Sequence, residues 1–394
     1  MRYLLFFLFV FVSPLLAGER PWAAPEGFFS EETIERKPLA PGLEWIAAKG
    51  KLDALPQETQ ILNIDLERLS LKPLVGSRLV PATAYFPRSR VSTLRAENHA
   101  LAAINATFFD IRATQTPSGL LMKQRRLLRN PETGKRPTLF FNDRRIALAE
   151  NVTLQATVLI GNQPAPLDSV NAPSLATGQI GLFVAPWQRT PGSGFRKEAP
   201  LFEIVAKETE WLPATTPGRP GVLKGRVSEI RKNQPSRPLQ PGEFVLATVE
   251  QDHPVFRQAR TGNPVEITWT LQNTPGDWTE WSDALSGGPV LFRGETETPF
   301  KNDARHPRTA VGINREGTRV LLVVVDGRSA QSAGMLLDEL RRYLRHLGAW
   351  EAVNLDGGGS STITAIVEGT PRLLNRPSDG KERFVPVGLG VFGR

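Results

Sequence analysis

Short apolar and alternating runs dominate the chain. Residues 61–66 and 69–74 alternate polar and apolar positions, the period of a half-buried strand. Residues 43–47 give an earlier strand. Residues 100–104 form a buried one that runs into Asn105-Ala106-Thr107-Phe108-Phe109-Asp110, after a short helix expected over 91–98. From about 138 to 280, β-rich runs such as 152–158, 244–249 and 265–270 are broken by Pro and Gly with no helical period, which predicts antiparallel sheet. Residues 320–325 are apolar throughout and are expected to be buried on both faces.

The clearest helix follows that run. Leu336, Leu337, Leu340, Tyr343, Leu344 and Leu347 fall on one face, and Asp338, Glu339, Arg341, Arg342 and Arg345 on the other. Gly348 stands where a left-handed residue would end the helix. A strand over 352–355 completes a strand-helix-strand unit, with Asp326 and Asp356 each at a strand's C-terminal end. If the two strands are parallel neighbours, a right-handed crossover brings both carboxylates to one rim. The expected class is α+β: a mixed, largely antiparallel β-sheet core with a C-terminal strand-helix-strand unit carrying the site. A final strand is expected over 384–391.

The stretch from Asn354 to Thr362, Asn-Leu-Asp-Gly-Gly-Gly-Ser-Ser-Thr, is the chemical centre of this pattern. Gly357, Gly358 and Gly359 remove every Cβ, so the backbone turns sharply and its N–H groups approach a ligand closely. A hairpin needs fewer glycines than this. Asp356 enters the turn, and Ser360 and Ser361 leave it. Ser286-Gly287-Gly288-Pro289 is a second glycine turn, and Arg308, Arg328 and Arg383 are spread through neighbouring turns.

Composition narrows the chemistry. The 394 residues include 34 Gly and 33 Pro, which fits a loop-rich β or α+β protein and falls short of disorder. There is no cysteine, so disulfides, zinc-thiolate sites and thiol nucleophiles are excluded. The four histidines are scattered, no Gly-Lys-Ser/Thr follows the glycines, and no Gly-x-Ser-x-Gly elbow occurs. The net charge of +8 is spread without a basic block or an aromatic RNA-binding signature, so nucleic acid is not an expected partner. Arg2, an apolar stretch over 3–12 and Ala17 make residues 1–17 a secretory signal peptide, with an uncleaved anchor as the alternative. Without a later membrane span, the expected location is secreted or periplasmic. Residues 18–58 read as an N-terminal lead-in, and 59–394 as one domain. Carboxylates, arginines, asparagines and glycine backbone suit a sugar joined to a phosphate.

Ile104 to Phe109, Ser286 to Pro289, Pro307 to Gly312, Val325 to Ser329 and Asn354 to Thr362, in this order, resemble the motifs of the phosphodiester glycosidase family. The resemblance runs from roughly residue 60 to the C-terminus. One departure is Ala106-Thr107, where the family commonly has two glycines. The resemblance implies hydrolysis at the anomeric carbon of a sugar 1-phosphodiester, N-acetylglucosamine-like, in a phosphorylated envelope glycan or exopolysaccharide. It puts Asp356 first and Asp326 second as catalytic carboxylates, with Glu382 third. Arg308, Arg328 and Arg383 would hold phosphate, and Asn105, Asn354, Gly287, Gly288, Gly357, Gly358, Gly359, Ser360 and Ser361 would complete the substrate cradle. No cofactor is required by this reading, although Asp356 and Asp326 are also potential ligands for Ca²⁺ or Mg²⁺. A metal-assisted phosphodiesterase and a non-catalytic envelope-glycan binding protein are the alternatives.

Overall fold

The computed structural model describes residues 22–79, 84–193, 195, 201–250, 252–300 and 304–394; the signal-like segment 1–17 lies outside them. The described residues form four sheets, two of eight strands and two of five. Among the described residues there are three α-helices, Val91–Glu97, Pro254–Gln258 and Leu337–His346. Strands take 46% of the residues and helices 8%, so the fold is β-rich and the α+β expectation is corrected.

The first eight-stranded sheet positions the site. Its middle runs in the order Leu55–Asp65, Arg319–Val325, Arg308–Ile313, Glu351–Asn354, with every neighbouring pair antiparallel. The strands that end before Asp326 and Asp356 are therefore parallel to each other. They are not neighbours, because Arg308–Ile313 lies between them. Both carboxylates still reach one rim, on either side of the start of that middle strand. The helix Leu337–His346 crosses behind a hairpin and does not carry the site.

The uniform apolar run of Arg319–Val325 explains why the sheet is covered twice. Val320, Leu322 and Val324 pack with Ile104, Ile363 and Leu389 into the largest core. Leu321, Val323 and Val325 face the other way, onto Leu340, Tyr343 and Leu344 of the helix. The strands Ala102–Asn105, Ile363–Val367 and Val387–Gly393, which help to form a five-stranded sheet, lie on the first face. The second eight-stranded sheet, from Thr153–Ile160 to Pro264–Gln272, has one parallel pair, Ser169–Val170 with Gly181–Phe183, and is otherwise antiparallel as expected.

Two local expectations are refined. Residues 30–40 of the lead-in form an edge strand paired with Leu43–Leu52. Glu339, placed by periodicity on the polar face, is only 2% exposed. The loop before Arg308 folds over this helix end, and Arg305 grips the Glu339 carboxylate with two hydrogen bonds of 2.5 Å. Glu339 also accepts the Leu336 N–H at 2.9 Å, which caps the helix. Arg305→Ala would leave a buried carboxylate without its cation, at an expected cost of about 2–3 kcal/mol in urea unfolding. A midpoint unchanged from the parent would show that the Glu339 carboxylate does not depend on Arg305.

Candidate active site

Asp356 sits in the turn between Glu351–Asn354 and Ile363–Val367, the latter entered through a short 3₁₀ turn, Gly358–Ser360. Its backbone is fixed from two directions: its N–H donates to the Ala106 carbonyl at 2.9 Å, and its carbonyl accepts Asn105 Nδ2 at 2.6 Å. The carboxylate is half-buried, with Ser360 and the Gly357 N–H on the side that favours its charge. Burial raises its pKa from 3.8 to about 6, against the opposing pull of Ser360, Arg383, Gly357 and Arg136.

The other two carboxylates are taken up by scaffold. Asp326 is 3% exposed. It accepts Asn375 Nδ2 at 3.0 Å and the Arg376 N–H at 3.1 and 3.2 Å, which ties the C-terminal loop to the sheet. Burial raises its pKa, opposed by the Asn375 and Arg376 hydrogen bonds. Glu382 accepts the Ser92 N–H at 2.9 Å and the Ser92 hydroxyl at 2.5 Å, so it caps the first turn of Val91–Glu97. Neither has a third acidic or histidine partner: among the described residues no three such side chains gather in a metal-binding group.

The glycines supply space more than N–H donors. Gly287 and Gly288 donate to the carbonyls of Pro137 and Asn354, and Gly358 donates to Pro307. A Cβ on Gly357 would lie 2.8 Å from the Pro307 carbonyl oxygen, and one on Gly327 would lie 2.9 Å from the Pro307 nitrogen. Both Asp-Gly steps therefore pack glycine against the same residue. A Cβ on Gly359 would overlap Arg383 and Asp379, while one on Gly358 would lie 3.2 Å from Arg328 Nη2. The last two glycines form a floor under two guanidinium groups.

Arg383 donates to Asp379 at 2.7 and 3.0 Å and to the Ser360 hydroxyl at 3.4 Å, which links it to Asp356. Arg328 is exposed, with a left-handed backbone (φ 60°), and contacts His306 Nδ1 at 3.0 Å. Arg308 is buried and points its guanidinium at the carbonyls of Met335 and Ala304, away from a ligand role. Asn105 is fully buried and serves as a clip. Asn354 Nδ2 bonds the Gly288 and Leu355 carbonyls, while its Oδ1 has no protein partner. The buried Ser361 hydroxyl packs at 3.3 Å from that of Thr309.

Sequence reasoning missed Arg88, Arg136 and Asp379. Arg136 lies over the Phe108 ring at 4.3 Å, and Arg88 is 5.8 Å from the centroid of Phe109. Both rings are half-buried, and Phe109 packs against a small core cluster. Burial lowers the Arg88 pKa, and Arg383 adds to the effect, so these guanidinium groups share one neighbourhood. No periodicity marks Arg88 or Arg136. The Phe-Phe pair was the available clue to a cation-bearing surface.

The assembly is a half-buried carboxylate bordered by arginines on an aromatic and glycine floor, suited to an anion held beside a reacting centre. The comparisons agree on the class. Residues 220–392 match the family model described as phosphodiester glycosidase. The Asn105–Phe109 motif lies upstream of the match.

Similar proteins include the SPbeta prophage-derived uncharacterized protein YomE of Bacillus subtilis (strain 168), 41% identical over 83 residues, 21% of this chain and 12% of that one. N-acetylglucosamine-1-phosphodiester alpha-N-acetylglucosaminidase of Mus musculus is 44% identical over 72 residues, 18% of this chain and 13% of that one. The matched segments thus span about an eighth of these relatives' length. The fold is that of a hypothetical protein from Synechocystis (TM-score 0.70, 18% identity, covering 92% of this chain and 64% of that one). It is also that of a candidate exported protein from Burkholderia pseudomallei K96243 (TM-score 0.70, 17% identity, 95% and 98%).

The raised pKa of Asp356 has a sign that can be tested. The folded protein holds this proton more tightly than the unfolded chain, so the stability it contributes is complete below about pH 3.8 and is lost as pH rises through about 6. Asn cannot ionise. Asp356→Asn is therefore expected to melt above the parent at pH 8 and level with it near pH 4. A variant that melts lower at pH 8 would mark the carboxylate as a structural anion.

Proposed function

We propose that the chain is an exported phosphodiester glycosidase that hydrolyses the anomeric carbon–oxygen bond of an N-acetylglucosamine-like sugar 1-phosphodiester in an envelope or extracellular glycan. The observation that carries this reading is Asp356, half-buried and near pKa 6, acting beside the Arg383 and Arg136 guanidinium groups. The family match and the activity of the similar Mus musculus protein, as its name gives it, support the reaction class. Export is supported by the signal-like residues 1–17. No helix among the described residues is long and apolar enough to cross a membrane.

At neutral pH, Asp356 is mostly ionised. In that form it draws a proton from the attacking water or attacks the anomeric carbon itself. The arginines hold the phosphodiester, whose leaving group departs as a stabilised anion without a proton from the protein. This explains how one available carboxylate suffices where glycosidases ordinarily use two. The rate is expected to rise with pH through about 6, and Asp356→Asn to lose on the order of a hundredfold or more in turnover.

Arg383→Ala is expected to lose about 3 kcal/mol of transition-state binding on the phosphodiester and far less on an uncharged aryl glycoside of the same sugar. Equal losses on both substrates would remove Arg383 from phosphate recognition. The bond cleaved decides between glycosidase and phosphodiesterase. Hydrolysis of N-acetylglucosamine 1-phospho-methyl ester in ¹⁸O-water should label the anomeric hydroxyl, and label on phosphate would overturn the proposal.

A further inference from the structure

The second eight-stranded sheet holds a cavity of about 460 Å³, and no residue of the 354–362 turn lines it. Its wall is mostly apolar: Leu167, Val170, Leu182, Leu223, Phe244 and Ile267 contribute aliphatic and aromatic surface. An apolar space of this size destabilises a fold in proportion to its volume when it stays empty, and it falls within the range of small-ligand pockets.

Two further observations say what would fill it. Trp187 and Trp269 both line the cavity and are almost wholly buried, at 1% and 4% exposure, yet neither indole nitrogen has a hydrogen-bond partner. An indole N–H is a donor only, so each unmet need is for an acceptor. Trp269 is also firmly placed. It stacks on Trp211 at 4.8 Å with 21° between the rings, and a Cβ on Gly221 would come within 2.9 Å of its nitrogen. The charged residues of the wall, Arg126, Arg189, Glu208 and Glu243, are all part-exposed, and Arg126 lies over the Trp211 ring at 4.7 Å and pairs with Glu208.

We propose that this cavity binds an acyl chain, with the carbonyl or carboxyl oxygen accepting from a buried indole and the hydrocarbon lying against the aliphatic wall. The two arms of the ligand match the two kinds of surface. An aliphatic body removes the exposed apolar area from water, and an oxygen acceptor satisfies a donor that the protein leaves unmet. The proposal is independent of the chemistry at Asp356, because its readout is binding.

The test uses the full chain and cis-parinaric acid, whose fluorescence rises on transfer to an apolar site. Saturable one-to-one binding is expected. Leu223→Trp, which fills the cavity, should weaken it at least tenfold, and the double variant Trp187→Phe/Trp269→Phe, which keeps the rings and removes both N–H donors, at least threefold. Circular dichroism and melting temperature establish that each variant is folded. Should Leu223→Trp fail to fold, the double variant decides alone. Displacement by dodecanoic acid or by a dodecanoyl ester sustains the proposal, and the stronger competitor identifies a free or an esterified chain as the occupant. Absence of saturable binding by the parent, or parental affinity in either folded variant, would overturn it.

Discussion

Where the first eight-stranded sheet meets the five-stranded sheet packed on it, the fully buried amide of Asn105 bonds three separate segments. Its Nδ2 donates to the Asp356 carbonyl at 2.6 Å, and its Oδ1 accepts the Thr309 hydroxyl at 2.9 Å and the Thr362 N–H at 3.0 Å. Only an amide supplies a donor and an acceptor on one short side chain, and in a dry interior an unmet polar atom is costly. The position of the Asp356 turn thus depends on a residue that never meets solvent. Thr309 belongs to the middle strand of one sheet, Thr362 leads into a strand of the other, and Asp356 stands between them.

Asn105 fixes the turn in one direction, and Pro307 fixes it in another. Gly327 and Gly357 each press against Pro307 backbone, so the loops after Asp326 and Asp356 are held on opposite sides of one strand start. This close packing lets the rim carry charge. Gly358 and Gly359 leave room for Arg328 and Arg383, and the Arg383 guanidinium is held by Asp379 and Ser360 within reach of Asp356. A guanidinium fixed by its own carboxylate loses less freedom when a phosphate arrives than one free in solvent.

Much of this was legible in the chain. The all-apolar run 320–325 announced burial on two faces, and the Leu336–Leu347 periodicity announced the helix. The Asp-Gly-Gly-Gly turn pointed to a candidate site because a hairpin needs fewer glycines, and the structure gives those glycines packing work against Pro307, Arg328, Asp379 and Arg383. Adjacency was not legible. The strand-helix-strand pattern is the same whether the two strands touch or have Arg308–Ile313 between them. Nor does sequence reveal how donors are used: Gly287, Gly288 and Gly358 looked like a free N–H cradle, yet nearby carbonyls take all three. Arg88 and Arg136 come from segments without pattern and reach the rim only through tertiary folding, each against one ring of Phe108-Phe109.

Three carboxylates that look interchangeable in sequence end in three electrostatic situations. Asp326 receives N–H donors from a loop more than forty residues away and fastens that loop. Glu382 caps a helix through Ser92. The Asp356 carboxylate is favoured in its charged form by Ser360 and Gly357 of its own turn and by two arginines, while burial works against that charge. Opposed influences of that kind leave the carboxyl with a pKa of about 6, closer to neutrality than an ordinary carboxylate, so its surroundings set its proton occupancy in mildly acid solution. A bound phosphodiester would draw the arginines' field toward itself and weaken their hold on Asp356. The carboxylate would then be a stronger base with a phosphodiester present than without it, and under the proposed function the cations that hold the substrate would also set the reactivity of Asp356.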